Sequence, residues 1–223
     1  FAKGPERADE LANPGDGRCS VLSPADHWGL VGSQTQLYTD TVAKPAYRKG
    51  STGMVGNVDL YMSQNVPTHT VGALGGTPLV NGGSQNVTYD TSKDTGTQTL
   101  NTDGWSNSVT GVLKAGDVFT IAGVFAVNPV TKATLPFLRQ FVVKADADSN
   151  GSGQAALTIA PAIVASGAFK NVSAAPADNA AITVSGSAGT GYRQNMVFHK
   201  NAFALTMVPL ESPPGAVEVG RRS

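Results

Sequence analysis

The sequence predicts an α+β fold that is mostly β, with a central strand-rich block that suits a barrel or a sandwich, flanked by two segments of mixed character. Three observations predict it. Strand-like runs recur at 118–124, 137–143 and 155–160, rich in β-branched, aromatic and small residues and separated by turn residues. Helix formers are scarce, with glutamate only at Glu6, Glu10, Glu211 and Glu218. Two Gly-rich passages bracket the strand block, one at 72–83 and one at 185–191.

The 223 residues suffice for one large domain or two small ones. Net charge is zero and 14% of residues are charged, which disfavours the concentrated basic patch of a nucleic-acid binder. No apolar run reaches the roughly 18 residues of a membrane helix, and no secretory leader pattern is present. The chain begins at Phe1 and ends on Arg221-Arg222-Ser223 without a closing element, so a fragment of a longer protein is expected.

In chain order, a short helix is expected over 6–12, stopped by Asn13-Pro14-Gly15. A strand follows over 18–22. Ser23 then caps a helix that has Pro24 at its first position and Asp26 three residues after the cap, ending near Gly32. A further helix is expected over 43–49, then a strand over 57–62. The passage at 72–83 reads as loose. Within the strand block, Lys114-Ala115-Gly116-Asp117 is a turn in which Asp bonds its own backbone. Phe119 and Ile121 alternate with Val118 and Thr120, so one set faces a core. Residues 202–210 read as strand-like. Two flexible passages around a β-rich block predict an insertion, with residues near Thr70 and Tyr192 side by side in the host sheet. Pattern alone leaves a continuous β-rich domain with two long loops equally open.

Candidate chemistry is sparse. Cys19 cannot form an internal disulfide and reads as a buried structural thiol. Asp146, Asp148 and Asn150, followed by Gly151, match the start of a calcium loop. Leu157 stands where the bidentate acid belongs, and the flanks are strands, so a polar hairpin tip is expected instead. His27, His69 and His199 lack ligand-spaced partners. No nucleophile elbow, phosphate loop or dinucleotide fingerprint appears. Trp28 and Trp105 could stack a sugar or a base, although core or turn positions are their commoner role. Thus no catalytic, cofactor-binding or metal residue is expected.

Several stretches together resemble one family. They are Ser20 to His27, Met54 to Pro67, Gly116 to Val124 with Val127 to Lys132, Asn171 to Asp178, and Gln194 to Leu205. In this order they resemble major capsid (coat) proteins of tailed bacteriophages, of the short-tailed Salmonella phage type. The resemblance implies the Hong Kong ninety-seven capsid fold carrying an extra, inserted antiparallel β-barrel that is Greek-key-like. Residues 1–71 and 186–223 would then belong to the capsid fold's axial and peripheral domains, and 72–185 to the inserted barrel.

The function so implied is structural: many copies assembling into an icosahedral shell around the DNA of a phage or prophage. It implies no enzyme activity and no cofactor. The implied partners are other copies in capsomers, a scaffolding protein and a portal, with no specific nucleic-acid site and no membrane. The implied location is the virion capsid, assembled in the bacterial cytoplasm. The alternative is a non-catalytic β-rich binding module, for carbohydrate or as a phage decoration or tail protein. Trp105 and Tyr89 exposed on one face as a stacking platform would support it. A hydrolase would need an exposed nucleophile beside a histidine.

Overall fold

The computed structural model describes residues 3–34 and 53–207; the helix expected over 43–49 and residues 208–210 lie outside them. The first element is α1 (Lys3–Glu10). It starts earlier than expected, because Pro5 lies in the first turn, where its missing N–H has no helical partner to lose. It ends where Asn13-Pro14 demands. Next come β1 (Arg18–Leu22) and α2 (Pro24–Gln34). The strands β2 (Met54–Val55) and β3 (Val58–Met62) follow, and β12 (Met196–His199) joins them late in the chain. These form a four-stranded sheet ordered β12-β1-β3-β2. β1 pairs in parallel with β3, at Val21 with Tyr61, and antiparallel with β12, at Val21 with Met196.

The helical side of this sheet carries Arg18, Ser20, Leu22 and Val58, all buried. Cys19 and Val21 face the other way and are half-buried. The expectation of a buried Cys19 is therefore corrected by one residue of strand phase. Arg18 takes the inner place because its guanidinium has work there. It donates to the carbonyls of Pro14 at 2.7 Å and Asn13, and pairs with Asp9 at 2.6 Å. A buried cation is tolerated only when so surrounded.

A separate ribbon pairs β4 (Thr68–Thr70) with β11 (Gly191–Arg193), placing Thr70 opposite Gly191 and His69 opposite Tyr192. The two passages do lie side by side, as expected, but in a ribbon of their own and not in the four-stranded sheet.

Between them lies a six-stranded antiparallel sheet. Its strands are β5 (Gly76–Val80), β6 (Gln98–Trp105), β7 (Val118–Val127), β8 (Thr134–Val143), β9 (Ala155–Ala160) and β10 (Ile182–Val184), with a short helix α3 (Tyr89–Ser92) before β6. The order β10-β7-β8-β9-β6-β5 places β6 beside β9 after the β7-β8-β9 meander, which is a Greek key. Its edges meet: Leu79 bridges Ala181, the Val80 amide donates to the Ala180 carbonyl, and the Asn179 amide donates to that of Val80. The sheet is thus nearly closed into a barrel, which removes exposed edges. Phe119, Ile121, Leu100, Phe141, Leu157 and Ile159 fill it and are fully buried. Each contributes about 2 kcal/mol by leaving water.

The passage at 72–83 is not loose, since residues 76–80 form β5. Glycine there serves close approach. A Cβ on Gly72 would lie 2.6 Å from the Val112 carbonyl oxygen and 2.8 Å from Leu113 Cα. Nor are residues 202–207 a strand. Ala202 closes a 3-10 turn, Lys200–Ala202, after which no strand pairing is present among the described residues.

Candidate functional site

The residues with catalytic or ligating potential are dispersed. Among the described residues no group of three His, Cys, Asp or Glu could hold a metal. His27 lies buried in α2, edge-on to Trp28. His199 accepts the Asn201 amide at 3.2 Å and so starts the 3-10 turn. Cys19 has Phe198 and Asp59 as its strand neighbours, not a histidine.

The calcium-like segment is already occupied by its own protein. Asp146 Oδ1 accepts from the Ala115 amide at 2.8 Å, and Asp148 Oδ1 from the Gly111 amide at 2.6 Å. Asn150 Oδ1 accepts from the Ser152 and Gln154 amides at 2.9 Å. The expected polar hairpin tip is present, joining the antiparallel pair β8 and β9 with most of its residues exposed. Within it Ala147 and Ser149 are buried, and Ala147 bridges Leu113 of the 106–117 connection.

Trp105 is 4% exposed and its indole N–H donates to Thr102 Oγ1 at 2.8 Å. It is a core residue, and the stacking platform with Tyr89 does not exist. Tyr89 instead stacks on Phe169, rings 3.6 Å apart and nearly parallel. Trp28 is exposed, on α2.

The densest polar arrangement lies where ribbon and barrel meet. Asp117 is fully buried and accepts three hydrogen bonds: from the Gly72 amide at 3.0 Å, the Lys114 amide at 2.7 Å and His69 Nε2 at 2.7 Å. The bond to Lys114 N was legible as turn chemistry; those to His69 and Gly72 were not. The imidazole rests on Gly116, where a Cβ would come within 3.1 Å of the ring and where φ is +103°. A cleft of about 300 Å3 opens beside the pair, with Gln140, Ser185 and Tyr192 on its walls. Tyr192 Oη accepts the Ser187 amide at 3.0 Å, and hydrogen bonding by the Ser187 side chain, then by this amide, lowers the phenol's pKa. No hydroxyl or thiol among the described residues is hydrogen-bonded to His69. The pair has the composition of a charge relay without its nucleophile, and it works as a tie between two segments.

The other distinctive surface is apolar. Met54, Tyr61 and Met196 share the face of the four-stranded sheet opposite Ser20 and Leu22, and each is about half exposed or more. Phe198 lies on this face too, edge-on to Phe203, which is 66% exposed. A contiguous face of this kind marks a protein contact more often than a small-molecule site.

A family model described as P22 coat protein, gene protein 5, matches residues 6–218. The chain belongs to the P22 coat protein family. It is a phage major capsid protein, and membership implies self-assembly into the capsid of a virion. Among solved structures, the CUS-3 coat protein I-domain is 30% identical, over 51% of this chain and 97% of its own length, with a TM-score of 0.34. No curated protein matches. For a P22-type coat protein the functional parts are surfaces and the ties that orient them. The Asp117 junction and the apolar sheet face are therefore the features of interest.

Proposed function

We infer that the chain is a tile of the icosahedral shell enclosing the DNA of a tailed phage or prophage, without catalytic activity. The observation that carries this reading is the family match across residues 6–218. The apolar sheet face supports it, since shell contacts are large surfaces built of many modest interactions. The outer segments, 1–71 and 186–223, correspond in this reading to the capsid-fold core of the Hong Kong ninety-seven type, and 72–185 to an inserted barrel. The ribbon of β4 with β11 supports the insertion, because a chain that leaves and re-enters a domain crosses at adjacent points most cheaply. Scaffolding and portal proteins are the expected further partners, and the bacterial cytoplasm the site of assembly. No catalytic, cofactor or metal residue is assigned.

The test is composition of particles. Phage purified after induction of the host and digested with trypsin should give peptides of this chain as the dominant head protein. Peptides confined to tails or to a low-copy decoration would overturn the assignment.

A further inference from the structure

The hairpin formed by β7 and β8 is held at both ends by different parts of the chain. At its base, Asp117 immediately precedes β7 and accepts from Gly72 and His69, both on the segment that enters the barrel. The base is therefore pinned by a buried carboxylate. At its far end, Asn128 immediately follows β7 and its Nδ2 donates to the Glu10 carbonyl of α1 at 3.1 Å. Close by, the Arg7 guanidinium of α1 sits 3.4 Å over the Phe137 ring of β8. α1 in turn is fixed to the four-stranded sheet. A Cβ on Gly4 would lie 2.8 Å from Val197 Cγ2, and Asp9 pairs with Arg18 of β1.

The two attachments are roughly 30 Å apart, the length of a ten-residue strand. They differ in kind. The base is buried and multiply bonded. The tip is a surface contact of one cation–π interaction and one side-chain hydrogen bond. Between them the β7-β8 register shifts from Thr120 to Phe125, and Gly123 has φ +79°. The lever thus contains its own bend.

We propose that the β7-β8 hairpin is a lever, pinned at Asp117 and latched to α1 at Arg7 and Asn128, and that opening the latch lets the barrel swing relative to the four-stranded sheet. This rests on the coat-protein reading for its purpose: copies of one chain in a large shell meet unlike neighbours, and a releasable latch gives one fold more than one outline. When the latch opens, Phe137 and the tip residue Val130, 76% exposed already, become free for a neighbouring copy.

The test uses the whole chain in a Cys19→Ser background, with nitroxide labels at Glu6→Cys on α1 and Val130→Cys at the tip. Pulsed electron–electron distance measurements should give one narrow distance. Adding Arg7→Ala with Asn128→Asp should broaden it and move it outward, while the barrel's melt stays unchanged. Asp is chosen at 128 because its Oδ1 still accepts from the Val130 and Thr131 amides that shape the tip. A narrow distance that survives the double substitution overturns the latch. So does a broad distance before it. Neither outcome bears on shell membership, which the particle composition decides separately.

Discussion

Asn195 Nδ2 donates to Asp26 Oδ2 at 2.9 Å, joining a helix cap to a residue 169 positions away. The same Asn195 accepts the Ser23 amide through Oδ1 at 2.9 Å. Ser23 Oγ in turn accepts the Asp26 amide at 3.3 Å, completing a capping box that borrows a distant amide. Asn195→Ala should therefore destabilise α2 as a lost cap does, by about 1 kcal/mol. Urea titration followed by far-ultraviolet circular dichroism checks it; an unchanged midpoint would refute the shared cap.

The same cap predicts a pH effect. The Ser23 hydroxyl, and then the Asn195 amide, hold the Asp26 carboxyl below the usual aspartate range. A carboxyl depressed in the folded state stabilises above its unfolded value, about pH 4. That contribution disappears as pH falls through the folded value. The melting-temperature gap between wild type and Asp26→Asn should be largest near pH 6 and shrink progressively as pH falls below about 4. A constant gap would show that the charge is irrelevant.

Ile121→Asp should unfold the barrel first and leave α2 partly intact. Ile121 is fully buried between Phe119 and the β10 neighbour Ile182. An unpaired carboxylate there costs several kcal/mol, comparable to a small domain's whole stability. Amide exchange at 119, 141 and 157 reports it; wild-type protection would place Ile121 at the surface.

Calcium should not bind at Asp146, Asp148 and Asn150 below millimolar concentration. Their oxygens already accept backbone amides, and no bidentate acid completes the loop. Isothermal titration should give no saturable heat. Asp148→Ala should instead lower the melting temperature, by exposing the Gly111 amide it satisfies.

A polypeptide of residues 72–185 should melt cooperatively with a β-type spectrum, whereas 84–185 should not. The shorter piece lacks β5, and with it Val80, which is fully buried, and the closure at Leu79 with Ala181. Equal cooperativity of both would show that β5 is dispensable.

What was legible in the sequence was local. The alternation around Phe119 and Ile121, the cap at Ser23 with Pro24, and the turn ending at Asp117 depend on residues within one turn or strand, and the structure reproduces them. What was illegible depends on partners far along the chain. The inward Arg18 is explained by carbonyls of the preceding loop, and Trp105 is buried because Thr102 satisfies its indole. Glycines at 72 and 76 look like looseness in a string of letters, but they are contact points between backbones. His69 gave no signal, since its carboxylate lies 48 positions away.

The pairing of β1 with β12 sets a timetable for synthesis. The contacts that close this sheet, such as Ser23 to Asn195, span 172 positions. At bacterial elongation rates that is roughly ten to thirty seconds of translation. For most of that interval β1 and β3 have been made with one edge unpaired, while the barrel is synthesised behind them. A nascent chain with an open, apolar edge is vulnerable to its neighbours on the same message. The barrel's buried core cluster, which lies between residues 80 and 182, has all been synthesised before the strand that covers this edge, β12.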